Sequence, residues 1–169
     1  MKIKDYVLVV IKPDGMSKGL MGNILFRFFD AQLDMVTLKL IRVSQQLAEA
    51  HYHHIQGKSF YQMTIDHIRG EGYKDKRVLA VIYQGKNAIQ KSRDLIGATN
   101  PQEAEPTTIR GAYGGVTAQG VFENIIHASS DQEEAEREIK LWFEPGEIPI
   151  TIYPTKEITI KSVKKKMWV

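Results

Sequence analysis

His127 closes an apolar run in the stretch NIIHASSDQEEAEREIKLWF, residues 124–143, and it has the most chemistry to offer. A neutral imidazole is a nucleophile near pH 7, provided that its second nitrogen is held by a partner. Ser129 and Glu138 follow closely enough to supply one. A carboxylate there would fix the tautomer and stabilise a positive or phosphorylated ring. The same residues also fit a core histidine satisfied by its neighbours. Lys12 ends the run YVLVVI and precedes the turn KPDG. It can meet a phosphate as a point charge, or snorkel at a strand end. Arg93 and Arg110 carry forks that suit phosphate oxygens, although most arginines are plain surface residues. Thr99, Thr107 and Thr108 add hydroxyls. The glycines do not form a G-x-x-x-x-G-K-[ST] loop, so any phosphate site here is not of the Walker kind.

The other histidines, His51, His53, His54 and His67, fall on predicted helices. His51 and His54 are three apart, yet no acidic or cysteine partner completes a recognised metal-ligand spacing. Tyr52 and Phe60 lie in the same region, as core aromatics or as a platform for a planar base. The chain has 169 residues and no cysteine, with 43% hydrophobic and 25% charged residues and a net charge of +3. These values fit one ordinary globular domain and exclude disulfides, thiolate catalysis and cysteine metal sites. They fit an intracellular chain. The N-terminal MKIKDYVLVVIKPDG is too short in its apolar run for a signal peptide. No apolar run approaches the roughly 18 residues that span a bilayer. The tail KSVKKK, 161–166, reads as a solvated end or as a contact for nucleic acid or acidic lipid.

The elements that must position these residues follow from periodicity. YVLVVI, 6–11, reads as a strand buried on both faces, ended by Pro and Gly. Ile24, Leu25, Phe28 and Phe29 share one helical face. A second strand is predicted over 34–43, and Ser44 then caps a helix. A further helix is predicted over 60–68 and a strand over 77–85, after which Asn87 opens a helix stopped at Gly97. VFENIIH reads as the last core strand. Ser130 and Glu133 form a capping box for a helix whose apolar face is Ala135, Ile139 and Trp142. Between them, residues 97–120 show no periodicity, and a loop of that length is either functional or a floppy insertion. The order predicts an α+β sandwich with a mostly antiparallel sheet.

The stretches VIKPDG (10–15), HY (51–52), LIGATNP (95–101), TIRG (108–111), NIIHASS (124–130) and EIKLWF (138–143) occur in an order that resembles the nucleoside diphosphate kinase family. The resemblance implies a ferredoxin-like sandwich, a four-stranded antiparallel sheet covered by helices. The kinase-like unit is expected over 1–145. Residues 146–169 then form a C-terminal extension, packed as an edge strand or interface segment. It implies transfer of the γ-phosphate from a nucleoside triphosphate to a diphosphate through phosphohistidine on His127. Lys12, Arg93, Thr99 and Arg110 match the phosphate contacts, Asn124 the ribose contact, and Phe60 the base-stacking residue. Tyr52 matches an active-site tyrosine, Ser129 and Glu138 the support of the ring, and Val121 the apolar residue on the base's other face. Mg²⁺ is expected to arrive on the nucleotide, with no metal site in the protein. A cytoplasmic homo-hexamer or homo-tetramer is expected, and the inferred alternative is a nucleotide-binding regulator or scaffold with reduced catalysis. The chain departs from the family pattern at Lys18, Ala128 and Ser130, and it carries extra residues near 71–75 and within 112–120.

Overall fold

A computed structural model describes residues 5–159 of the chain. The basic run 161–166 lies outside the described residues. Strand β1 (Asp5–Ile11) occupies the middle of the sheet, paired with β3 (Arg77–Gly85) on one side and β6 (Ile126–Ala128) on the other. Strand β2 (Asp34–Arg42) pairs with β3 and ends the sheet, giving the order β2-β3-β1-β6 with every pairing antiparallel. This is the four-stranded α+β sandwich of ferredoxin-like topology.

The alternation of side chains along β1 and β3 explains why their sequences read as unbroken apolar runs. Val7, Val9 and Ile11, with Leu79, Val81 and Tyr83, face one core cluster. It is closed by Ile24 and Phe28 of α2 (Met21–Asp30) and by Ala88, Ile89 and Ile96 of α5 (Ala88–Ile96). Leu8 and Val10, with Val78, Ala80 and Ile82, face the other cluster. That side is covered by α3 (Gln45–His51), α4 (Tyr61–Ile68) and α7 (Gln132–Trp142). Both faces of β1 and β3 are covered, so neither strand carries a polar face.

Several predicted boundaries move. On α2, Ile24 and Phe28 are buried but Phe29 is 76% exposed, because the buried stripe is narrower than the apolar one. The helix after Ser44 stops at His51 and continues as a 3₁₀ turn over His53–Ile55. Ser44 is its cap, accepting from Leu47 N at 3.1 Å. For α7 the cap is Asp131 and not Ser130. Asp131 Oδ1 accepts from Glu134 N at 2.9 Å, while Ser130 Oγ donates to Asp131 Oδ2. A carboxylate can take both hydrogen bonds at once, so it displaces the serine from the capping position.

The stretch 97–120 is built, not floppy. It holds a 3₁₀ turn (Pro101–Glu103), the short helix α6 (Ile109–Tyr113) and strand β4 (Gly115–Val116), which forms a hairpin with β5 (Phe122–Glu123). Gly97 has φ +84°, and a Cβ there would lie 2.3 Å from Thr108 Oγ1, so this turn admits only glycine. A third 3₁₀ turn, Pro145–Glu147, ends the compact part. Residues 148–159 form no strand, and the remainder of the expected edge strand, 160–169, lies outside the described residues. Pro149 and Pro154 remove two of the donors that a strand would need. Ile148, Ile152 and Tyr153 instead pack on the α7 side of the core.

Candidate active site

VFENIIH is not one strand. It breaks at Asn124–Ile125, where Ile125 is fully buried with φ +67°. A β-branched residue in the left-handed region is strained and must be held there. Ile125 N donates to Asp14 Oδ2 at 2.8 Å, and Ile125 O accepts from Lys12 N at 2.8 Å. Gly15 permits this close approach, since a Cβ would sit 3.0 Å from Ile125 O. KPDG, expected as a turn, is Lys12 as N-cap with the first residues of the short helix α1 (Pro13–Ser17); it clamps the break, and the break turns Asn124 toward the sheet end and feeds β6 into register with β1.

In that register His127 lies opposite Val10 and so shares its face, the one covered by α3 and α7. His127 Nε2 meets Glu138 Oε1 of α7 at 2.8 Å. Ser129 Oγ donates to Glu138 Oε2 at 2.5 Å. Ser129 is fully buried and also accepts from Leu8 N at 3.2 Å. It therefore braces the carboxylate and does not touch the ring, a step further back than the sequence reading placed it. An ionised carboxylate only accepts, so Nε2 carries the proton and Nδ1 keeps the free lone pair.

His51 has a role that no local sequence signal carries. It is 1% exposed, lies edge-on to His127 with ring centroids 4.5 Å apart, and accepts from Trp142 Nε1 through Nδ1 at 3.2 Å. Burial, with the positive field of nearby groups, holds it well below the usual histidine range and hence neutral. Donor atoms of His51, His127 and Glu138 lie within 4.8 Å of one another. The Nδ1 lone pair of His51 is committed to Trp142, and Glu138 is committed to His127 and Ser129, so the trio fits a metal poorly. The dipeptide HY had marked His51, and KPDG had marked Asp14, by position alone.

A cleft of about 570 Å³ opens beside His127. Lys12, Arg93, Thr99, Arg110, Asn124 and Tyr52 also line it. Lys12 Nζ donates to Asn124 Oδ1 at 2.7 Å, and Asn124 Nδ2 donates to Thr99 O at 3.0 Å. Arg110 donates to the carbonyls of Asn124 (3.3 Å), Gly97 (2.8 Å) and Ile126 (2.9 Å). It thus splints the broken strand, with two of its five N–H groups left over. Burial, reinforced by Arg110, pushes Lys12 from 10.5 down to about 8. Burial lowers Arg110 to about 10. Tyr52 is buried and its hydroxyl has no protein partner.

A second cavity of about 460 Å³ adjoins the first through Lys12, Tyr52, Thr99 and Asn124. Its own walls are largely apolar and include Phe60, Met63, Val121 and Phe122. Thus Phe60 and Val121, 61 positions apart by their numbers, line one space. Every residue matched to the family's site lies in or directly behind these two joined cavities, whereas Thr107 and Thr108 line neither, and Thr108 instead caps α6, its hydroxyl accepting from Gly111 N at 3.2 Å.

An antiparallel sandwich that gathers a carboxylate-held histidine and three cationic side chains at one sheet end, beside an apolar slot, is the frame of a protein that handles phosphorylated ligands. Known proteins make this specific. A sequence model of the family described as nucleoside diphosphate kinase matches residues 5–148. The nucleoside diphosphate kinase of Pyrococcus furiosus is 42% identical over 144 residues, covering 85% of this chain and 86% of that protein. That of Methanocaldococcus jannaschii is 40% identical over 146 residues, covering 86% and 98%. The structure of a halophilic nucleoside diphosphate kinase from Halobacterium salinarum, in complex with CDP, superposes with a TM-score of 0.79 at 34% identity, covering 89% of this chain and 95% of that one. A transition-state mimic of the Borrelia burgdorferi enzyme, with bound vanadate and ADP, also gives 0.79, at 30% identity and 90% and 95% coverage. The chain belongs to the nucleoside diphosphate kinase family, whose reaction is phosphoryl transfer between nucleotides. Among the described residues no helix is long and apolar enough to cross a membrane.

Proposed function

We propose that this protein moves the γ-phosphate of a nucleoside triphosphate, typically ATP, to a nucleoside diphosphate through phosphohistidine on His127. The observation that carries this reading is the Ser129–Glu138–His127 relay, which leaves Nδ1 as the free nitrogen beside a cationic cleft. Nδ1 attacks the γ-phosphorus. A P–N bond forms as the P–O bond to the β-phosphate breaks, and the nucleoside diphosphate leaves with that electron pair. The ring becomes cationic, and Glu138 stabilises it across the Nε2–H bond. A terminal oxygen of the second diphosphate then takes the phosphoryl group back by the reverse path. One site serving two half-reactions gives ping-pong kinetics.

Phosphoryl transfer asks chiefly for positioning and for neutralised oxygen charge. Lys12, Arg93 and Arg110 supply the charge, and the hydroxyls of Tyr52 and Thr99 add donors to phosphate oxygens. Asn124 contacts the ribose. Phe60 and Val121 grip the base from its two faces, which every base presents, so base specificity is broad. Of the nearby carboxylates, Glu138 commits both oxygens, to His127 and Ser129, while Asp14 gives one oxygen to Ile125 N, turns the other toward His67 and lines neither cavity. Such a cleft suits Mg²⁺ that rides on the nucleotide phosphates and shields their charge when bound. A regulator with reduced catalysis is not favoured in a chain with this full set of residues.

The kinase unit is assigned to 1–145, with 146–169 as an extension. Self-association into a hexamer or tetramer is supported by β2, which ends the sheet with Met35, Leu38 and Leu40 exposed, and by exposed Phe26 and Phe29 on α2. Light scattering reads that assembly. A cytoplasmic location suits its nucleotide substrates. The kinase activity is tested by a coupled assay with ATP and GDP, in which parallel double-reciprocal lines are expected. Intersecting lines would contradict the covalent route.

A further inference from the structure

The cavity behind Phe60 has two walls from distant parts of the chain. One wall is Phe60 with Met63, Thr64 and His67 of α4; the other is the tip of the β4–β5 hairpin, Val121 and Phe122. Its width therefore depends on a non-covalent tie between α4 and the hairpin, and Tyr73 makes one. Tyr73 lies in the turn between α4 and β3. Its ring packs edge-on against His67, with centroids 5.7 Å apart at 82°. Its hydroxyl donates to Glu123 Oε1, on β5, at 2.5 Å. Glu123 Oε2 in turn accepts from Lys18 Nζ at 3.0 Å, and Lys18 also reaches Tyr113 O at 3.3 Å, below the hairpin's first strand. The bond from Tyr73, then that from Lys18, holds the Glu123 carboxyl below its ordinary range, so Glu123 accepts and Tyr73 donates.

Glu123 is next in sequence to Asn124, whose side chain is bonded to Lys12 and Thr99. One end of the tie is thus anchored to the phosphate cleft, and the other bears on the helix that forms the far wall of the slot. We propose that Tyr73 is a positioning residue for the nucleoside, setting the separation of the Phe60 and Val121 walls through Glu123 while taking no part in phosphoryl transfer. This rests on the reading of the two cavities as a nucleotide site.

The test separates seating of the base from chemistry at His127. Tyr73→Phe keeps the ring on His67 and removes only the hydroxyl bond. The expected result is a rise of about tenfold in KM for ATP and for GDP, the worth of one charge-assisted hydrogen bond, with kcat within about twofold. Labelling of His127 by phosphoramidate, a phosphoryl donor with no base to seat, should keep the wild-type rate. Glu123→Ala, which removes the acceptor of this bond together with that of Lys18, should raise KM at least as much, and adding Tyr73→Phe to it should change little further. An unchanged KM in an active Tyr73→Phe protein would overturn the inference alone. So would a matching fall in phosphoramidate labelling, which would report general damage to the site. Wild-type protein that neither reagent labels would overturn the reading of His127 and this inference with it.

Discussion

The cleft around His127 and the cavity behind Phe60 share Lys12, Tyr52, His54, Thr99 and Asn124, yet their far sides differ in kind. Beyond the shared wall the cleft presents Arg93, Arg110, His127 and Glu138, and three of these four are fixed by hydrogen bonds to other parts of the fold. The cavity presents Ile55, Phe60, Met63, Val121 and Phe122, which recognise by contact area. Fixed donors select one charge at one place, and they are costly to bury. The depression of Lys12 from 10.5 to about 8 corresponds to a penalty on the order of 3 kcal/mol while it stays charged. Apolar walls cost nothing comparable and accept any flat ring. A molecule with both sides can be strict about phosphate and lenient about base.

Variants on the two sides should therefore fail differently, and the largest effects belong to the cleft. His127→Ala should lose nucleotide turnover by at least about 10⁴-fold, measured by the coupled assay, because it removes the group that bonds to phosphorus. Arg110→Ala should cost about 10³-fold in kcat/KM and also unfold at lower urea, since three carbonyls lose their donor. An Arg110→Ala protein of unchanged stability would contradict its role as a splint.

Lys12→Met offers a sharper contrast, losing activity while gaining stability. The sign follows from linkage. Below pH 8 Lys12 is charged in both folded and unfolded chains, and the folded one bears the full burial penalty. Between pH 8 and 10.5 the unfolded chain binds the extra proton, so wild-type stability gains a rising component. Urea midpoints across that window should show a steeper rise in wild type than in Lys12→Met. In the same window KM for ATP should climb, as the free site loses its point charge. Phe60→Ala, on the lenient side, should raise KM about tenfold with kcat largely kept. The smallest effects lie at the start of α7. Asp131→Ala should lower the thermal midpoint and Ser130→Ala should lower it less, the reverse of the order that an S-x-x-E pattern implies.

How much of this was legible in the sequence differs between the two sides as well. The central strands were readable because Val7 to Ile11 and Val78 to Tyr83 are buried on alternate faces, which leaves an unbroken apolar signature. Ser44 and Gly97 were readable as local stop and start chemistry. The break at Ile125 was not, because isoleucine has no local preference for φ +67° and is forced there by Asp14 and Lys12, more than a hundred positions away. His51 was overlooked for a related reason. Its importance lies in the Trp142 bond and the edge-on contact with His127, both of which exist only once α3 packs on α7. Phe60 was legible as an aromatic platform or a core residue, Val121 only through the family pattern, and the tie that spaces their walls only in the fold.

The central claim is that phosphate passes covalently through His127. Wild-type protein and His127→Ala are incubated with γ-labelled ATP, denatured, and treated with acid or with base. Label on the wild type that base preserves, acid removes and GDP discharges beforehand, with none on His127→Ala, is the predicted result. Label or undiminished turnover in His127→Ala would contradict it.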